Sequence, residues 1–139
     1  EAEWEHAARS SGLNHTHPRG NEEPTCDYAV MMSEGVYGCG TDRTMEVCSK
    51  PAGNTAQGLC DMAGNTWEWV QDWYDETTYE ASSATSPAIN PQGPDSGENK
   101  VLRGGSWNNS ASELLGTARD TSQPDERGDD VGFRCVVPS

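Results

Sequence analysis

From Trp67 to Tyr74 the chain alternates between two kinds of position. Trp67, Trp69, Gln71 and Trp73 fall on one face of an extended segment, and Glu68, Val70, Asp72 and Tyr74 on the other. This predicts a strand with both faces occupied. Just before it, Asp61-Met62-Ala63-Gly64-Asn65 has the turn chemistry that reverses a chain while turning carbonyls and a carboxylate inward. Glu1 to Arg9 reads as a helix with Trp4 and Ala7 or Ala8 on one face. Ser10 to Pro24 has no period and reads as loop. Cys26 to Cys60 is mostly irregular, with one short candidate strand at Asp27 to Met32. Asp75 to Asn99 is a long polar excursion, of a length that is usually functional or mobile. Lys100 to Arg103 then gives a short strand and Gly104-Gly105-Ser106-Trp107 a tight turn or bulge. Asn108 to Asp130 is polar throughout, and Val131 to Val137 closes the chain as a strand.

Composition sharpens this outline. A chain of 139 residues suits one domain, residues 1 to 139. Only 32% of residues are hydrophobic while Gly (15) and Pro (8) are plentiful, which points to a loop-rich fold with little regular helix. The five tryptophans then carry much of the burial, each able to cover roughly 150 to 250 Å². A net charge of -14 repels phosphate backbones and anionic membrane surfaces, so nucleic acid is not an expected partner. No apolar run approaches the roughly 20 residues that cross a bilayer, so no membrane insertion by this segment is expected. The opening EAEWEHAAR lacks a helix start signal, which raises the expectation that the chain is the C-terminal part of a longer protein.

Cys26, Cys39, Cys48 and Cys60 cluster, and Cys135 stands apart. Four cysteines allow three pairings, and nothing in the spacing selects one. No CxxC pair favours zinc, so two disulfides in an oxidising compartment are the expectation. His15 and His17 read as solvated loop residues, with no third ligand nearby. The Gly104-Gly105 pair is followed by neither helix nor lysine, so packing against a tryptophan explains it better than a phosphate cradle.

EAEWEHAAR, GLCDMAGNTWEWVQDWY, NPQGP, VLRGGSW and VGFRC, in that order, resemble the C-terminal two thirds of the formylglycine-generating sulfatase-modifying domain. The resemblance implies an α+β, C-type-lectin-like fold with little regular secondary structure, N-terminally truncated here. It also implies an upstream cysteine as the partner of Cys135. For calcium, it implies side-chain oxygens from Asp61 and Glu68 and main-chain carbonyls from Gly64 and Thr66. Two carboxylates flanking a glycine turn supply the oxygen mixture that calcium takes. The other reading has Asp61 capping the turn and Glu68 pairing with an arginine. A second family calcium site uses an asparagine where this chain has Val30.

Enzymes of this family place two cysteines shortly after the GGS turn to bind copper. Here that stretch is Trp107-Asn108-Asn109-Ser110-Ala111-Ser112-Glu113-Leu114, without a cysteine and so without a soft copper site. A branch that uses non-haem iron needs histidines from another domain. No catalytic residue and no copper is expected. The segment from residue 103 to 134 instead resembles the variable region of proteins diversified by retroelements. A frame of Arg103, Gly104, Gly105, Ser106, Trp107, Arg119, Pro124, Arg127, Gly132, Phe133 and Arg134 alternates there with unrelated small, polar and acidic residues. The resemblance implies a ligand-binding surface of Trp107, Asn108, Asn109, Ser110, Glu113, Leu115, Gly116, Asp120, Ser122, Glu126, Gly128, Asp129 and Asp130. The sequence thus leads to a non-catalytic, calcium-stabilised binding module. Its ligand would be a protein or glycan on another cell or particle, and the module itself extracellular or surface-displayed. An enzyme of the family, or an ordinary member whose polar tract is only a solvated loop, is the alternative.

Overall fold

The computed structural model describes residues 1–80 and 88–136. Helix α1 spans Ala2–Ala8, with Glu3 and Glu5 in its first turn and His6 in its last, charges that suit the helix dipole. Seven residues are too few to hold a helix in water unaided. Tertiary anchors hold it instead: Trp4 and Ala8, one turn apart, are both buried.

The sheet consists of β1 (Trp67–Trp73), β2 (Lys100–Arg103), β3 (Arg119–Ser122) and β4 (Val131–Gly132), in the order β3-β2-β1-β4. β1 and β3 run antiparallel to β2, and β4 lies parallel to β1. Glu68 pairs with Arg103 and Trp69 with Leu102, and a bulge between Trp69 and Trp73 brings Trp73 opposite Lys100. Arg103 in turn faces Arg119, and Leu102 faces Asp120. This register divides the sheet into a face carrying Glu68, Val70, Asp72, Val101, Arg103 and Arg119 and a face carrying Trp67, Trp69, Leu102, Asp120 and Ser122.

Two apolar clusters flank the RGGS turn. Trp4, Ala8 and Met62 form one, with Ala7 and Val70 packed against it. Ala29, Met31, Ala111 and Leu114 form the other, joined by Cys26, Cys39 and Ala63. The turn fits between them because Gly104 and Gly105 have φ of +97° and +72°. A Cβ on Gly104 would lie 3.2 Å from the Trp4 ring, and one on Gly105 would lie 2.9 Å from Leu114. The expected packing against a tryptophan thus holds for Gly104, through Trp4 far away in sequence, while Leu114 is what keeps Gly105 small.

Cys26 bonds to Cys39 and Cys48 to Cys60, and Cys135 is free and exposed. The first disulfide lies against the second apolar cluster and so extends that small core.

Four sequence expectations are corrected. Asp27–Met32 is not a strand: Val30 makes a single bridge to Gly64, and the amides on either side serve loops. The closing strand has only Val131 and Gly132, with Phe133, Cys135 and Val136 exposed and Val137 outside the described residues. The polar stretch from 108 to 130 contains β3 and a 3-10 turn, Ala111–Glu113, whose Ala111 and neighbouring Leu114 are buried. His17 is not solvated: it is buried, with Nδ1 2.9 Å from the Leu114 carbonyl oxygen. The polar excursion after β1 falls partly outside the described residues, at positions 81–87.

Candidate functional site

The helix-side face of the sheet is an ionic layer. Arg103 is fully buried; its Nη2 donates to Glu5 at 2.6 Å and to the Gly116 carbonyl at 2.9 Å, and Nη1 donates to the Ala118 carbonyl. Burial pulls its guanidinium below the ordinary arginine value, opposed by Glu5 and Glu1. Arg119 donates to both carboxylate oxygens of Glu1, at 2.7 and 3.0 Å. Tyr79 donates to the same carboxylate at 3.2 Å, and its phenol is pushed up to about 12, by burial first and then by Glu1.

Glu68 belongs to this layer. Its Oε2 accepts from Trp4 Nε1 and Arg134 Nε, each at 2.7 Å, and its Oε1 accepts from Arg134 Nη2. Arg134 Nη2 also reaches the carbonyls of Cys60 and Asp61 at 3.1 and 3.4 Å. Hydrogen bonding to Glu68 raises the Arg134 guanidinium above its ordinary value, against the opposing effect of burial. The Asp61 carboxylate accepts from the Cys48 amide at 2.7 Å, and the Gly64 carbonyl accepts from the Thr66 amide at 3.0 Å. Asp61, Gly64, Thr66 and Glu68 have the oxygen chemistry of a calcium site. As arranged they do not fit a resident ion, because a guanidinium already occupies the Glu68 carboxylate.

The opposite face opens into a cavity of about 280 Å³. Trp67, Trp69, Leu102 and Val131 wall it, and Asp120, Ser122, Glu126, Arg127, Gly128 and Asp130 supply its polar lining. Trp67 is buried and Trp69 half-buried. Small neutral donors position the acids: Ser122 Oγ donates to Glu126 at 2.7 Å, and Asn108 Nδ2 donates to Asp130 at 3.1 Å. The Asp130 carbonyl accepts from the Trp67 amide at 2.8 Å, tying the rim to the start of β1.

Asp120, Ser122, Glu126, Gly128 and Asp130, five of the sequence-predicted surface residues, thus meet in one groove. Asn108 reaches it through Asp130. Asn109, Ser110 and Glu113 form a neighbouring hydrogen-bonded loop, where Ser110 and Glu113 make a capping box and Asn109 Nδ2 donates to Glu113 at 2.9 Å. Trp107 packs edge-on against Tyr37. Asp129 is exposed and Leu115 half-buried. Gly116 departs from the expected solvent-facing surface: it is buried, its amide donating to Thr16 and its carbonyl accepting from Arg103. The tryptophan wall was absent from the sequence-predicted set. The alternation in β1 put Trp67 and Trp69 on one face, but only the pairing of β2 with β3 brings Asp120 and Ser122 over them.

This irregular chain on a short four-stranded sheet, with its GLCDMAGNTWEWVQDWY and VLRGGSW segments forming β1, β2 and the turns beside them, has the features of a domain of the sulfatase-modifying class. The Sulfatase-modifying factor enzyme 1-like domain model matches residues 1–138, and the chain belongs to that family. It is 37% identical over 136 residues to serine/threonine-protein kinase Pkn1 of Chlamydia trachomatis serovar L2, covering 98% of this chain and 20% of that protein. It is 33% identical over 144 residues to formylglycine-generating enzyme of Streptomyces coelicolor, covering 98% of this chain and 45% of that enzyme. Among solved structures it matches Treponema denticola variable protein 1 with a TM-score of 0.75 and 36% identity, over 95% of this chain and 44% of that one. The chain therefore spans less than half the length of each of these relatives.

Proposed function

We propose that this domain is a non-catalytic ligand-binding module whose recognition surface is the tryptophan-walled groove and the polar loops beside it, as in a diversified variable protein. The observation that carries the reading is the meeting of Asp120, Ser122, Glu126, Gly128 and Asp130 on one wall-backed groove. These residues lie in the 103–134 segment that resembles variable regions, and the match to a variable protein supports the same reading. Side chains there can change with little effect on the core, because β2 and the RGGS turn behind them are buried.

Cysteine chemistry speaks against oxidase activity. Four of the five cysteines are disulfide-bonded and the fifth, Cys135, stands alone, so no thiolate pair is available to hold copper. Disulfides persist in oxidising compartments, which supports a place outside the cytoplasm; display on a cell or particle surface, facing a protein or glycan partner, is part of the same proposal.

The test is selection from a displayed library varied at Asp120, Ser122, Glu126 and Asp129. Folded members that bind different targets are expected, and a library that yields no binder to any target overturns the proposal. Oxidation of a cysteine-containing sulfatase peptide by the copper-loaded chain would overturn the non-catalytic part. In the neighbouring DNA, a reverse transcriptase gene with a near-copy repeat differing at adenines is the expected mark of diversification.

A further inference from the structure

The two faces of the sheet treat charge differently, and the difference bears on what the groove binds. Arg9, Arg19, Arg103, Arg119 and Arg134 all form ion pairs with carboxylates away from the groove. Lys100 lies over the Trp73 ring, 3.7 Å from its centroid, and donates to the Gln71 carbonyl. In the groove, Asp120, Glu126 and Asp130 form no ion pair among the described residues, although Arg127 stands on the same rim. Neutral hydroxyl and amide donors from Ser122 and Asn108 hold Glu126 and Asp130 in place. The groove is therefore built with more carboxylate than its own cations balance.

Those carboxylates, exposed at Asp120 and Glu126 and half-buried at Asp130, stand beside indole rings. Trp67 and Trp69 with Leu102 and Val131 form a low-dielectric wall, beside which a charge of opposite sign is attracted more strongly than in bulk solvent. Indole also attracts cations directly through its ring quadrupole. The cavity, about 280 Å³, lies just below the size range of drug-sized ligand pockets, roughly 300 to 1,000 Å³, which suits one projecting side chain.

We propose that the groove seats a single cationic side chain, arginine or lysine, presented by a basic segment of a partner protein. This rests on the groove being the recognition surface, as proposed above. Trp67 and Trp69 flank the alkyl stem and the charged head, while Asp120, Glu126 and Asp130 receive the donors. Arginine suits the arrangement best, because its planar fork can both stack on indole and bridge two carboxylates. The -14 net charge of the chain draws such a segment in, and the groove fixes where its charge docks.

The probes are Nα-acetyl-arginine amide and its uncharged isostere Nα-acetyl-citrulline amide, titrated into the full chain while the indole N–H resonances of Trp67 and Trp69 are followed. The arginine derivative is expected to shift both resonances in a saturable way and to bind about tenfold more tightly than the citrulline derivative. The paired change Asp120→Asn with Glu126→Gln should weaken arginine binding at least about fivefold. Changing the exposed Glu34→Gln and Glu46→Gln, which lie outside the groove, should not. Equal binding of the two derivatives, or equal weakening by the remote pair, overturns the proposal. Two further outcomes separate it from the functional reading. Binding of a neutral oligosaccharide or uncharged protein segment that Trp69→Ala abolishes, with no arginine response, sinks the cation proposal and leaves the groove as the recognition surface. Loss of every groove-dependent ligand from a displayed library sinks both.

Discussion

The two faces of the sheet use the same few residue types for opposite ends. On the helix side, tryptophan and carboxylate are locked together: Trp4 and Arg134 share Glu68, and Arg103 is surrounded by Glu5 and main-chain carbonyls with no solvent exposure. On the groove side, Trp67 and Trp69 stand beside Asp120, Glu126 and Asp130 with no such closure. Where acids are paired and buried, removing one partner strands a charge, so the layer cannot vary freely. Where acids are solvated and held by hydroxyls, substitution costs little. On the proposed binding reading, the contrast is what lets a chain that is only 32% hydrophobic hold a fixed platform beneath a surface open to change.

The sharpest way to break the contrast is at Arg103. Arg103→Ala should cost about 3 to 5 kcal/mol, since it removes a fully buried guanidinium and leaves the Gly116 and Ala118 carbonyls without their donor, although Glu5 keeps Arg9, and denaturant melting would measure this. Leu114→Ala, in the second cluster, should cost about 2 to 5 kcal/mol by the same measurement. Arg134→Ala should cost about 2 to 3 kcal/mol, because Glu68 keeps only Trp4 as partner. That variant also tests the calcium expectation drawn from sequence. With Arg134 present, a chelator should leave the melting midpoint unchanged; with Arg134 removed, added calcium should raise it.

A smaller effect lies at Tyr79, whose phenol is raised from 10.0 to about 12 in the fold. A raised folded value means the contribution is complete below about pH 10 and is lost as pH climbs toward 12, since the unfolded chain ionises first. Alkaline titration by phenolate absorbance, with melting at each pH, reads both. Least of all, Glu126→Gln should change stability by less than about 0.5 kcal/mol.

Much of this division was legible in the sequence. The alternation from Trp67 to Tyr74 separated the faces, and five ordered motifs identified the domain family. The alternative reading of Glu68, paired with an arginine, was available, but the identity of that arginine depended on Arg134 returning past Cys60 and Asp61. Other features were hidden for definite reasons. β3 reads Arg-Asp-Thr-Ser, which has no apolar period because Arg103 and the groove, not a greasy core, lie on its two sides. Asp27–Met32 looked like a strand because its apolar residues are buried, yet they fill a loop core beside a disulfide. The disulfide pairing could not be selected by spacing and became visible only once the loops were placed.

The central claim is that the platform folds independently of the residues lining the groove. It is tested most directly by melting a chain carrying Asp120→Tyr, Ser122→Asn and Glu126→Arg together. The account predicts a midpoint within about 5 °C of the parent, with the groove's ligand preference altered. A loss of stability comparable to that of Arg103→Ala would contradict it, because the groove would then be part of what holds the fold.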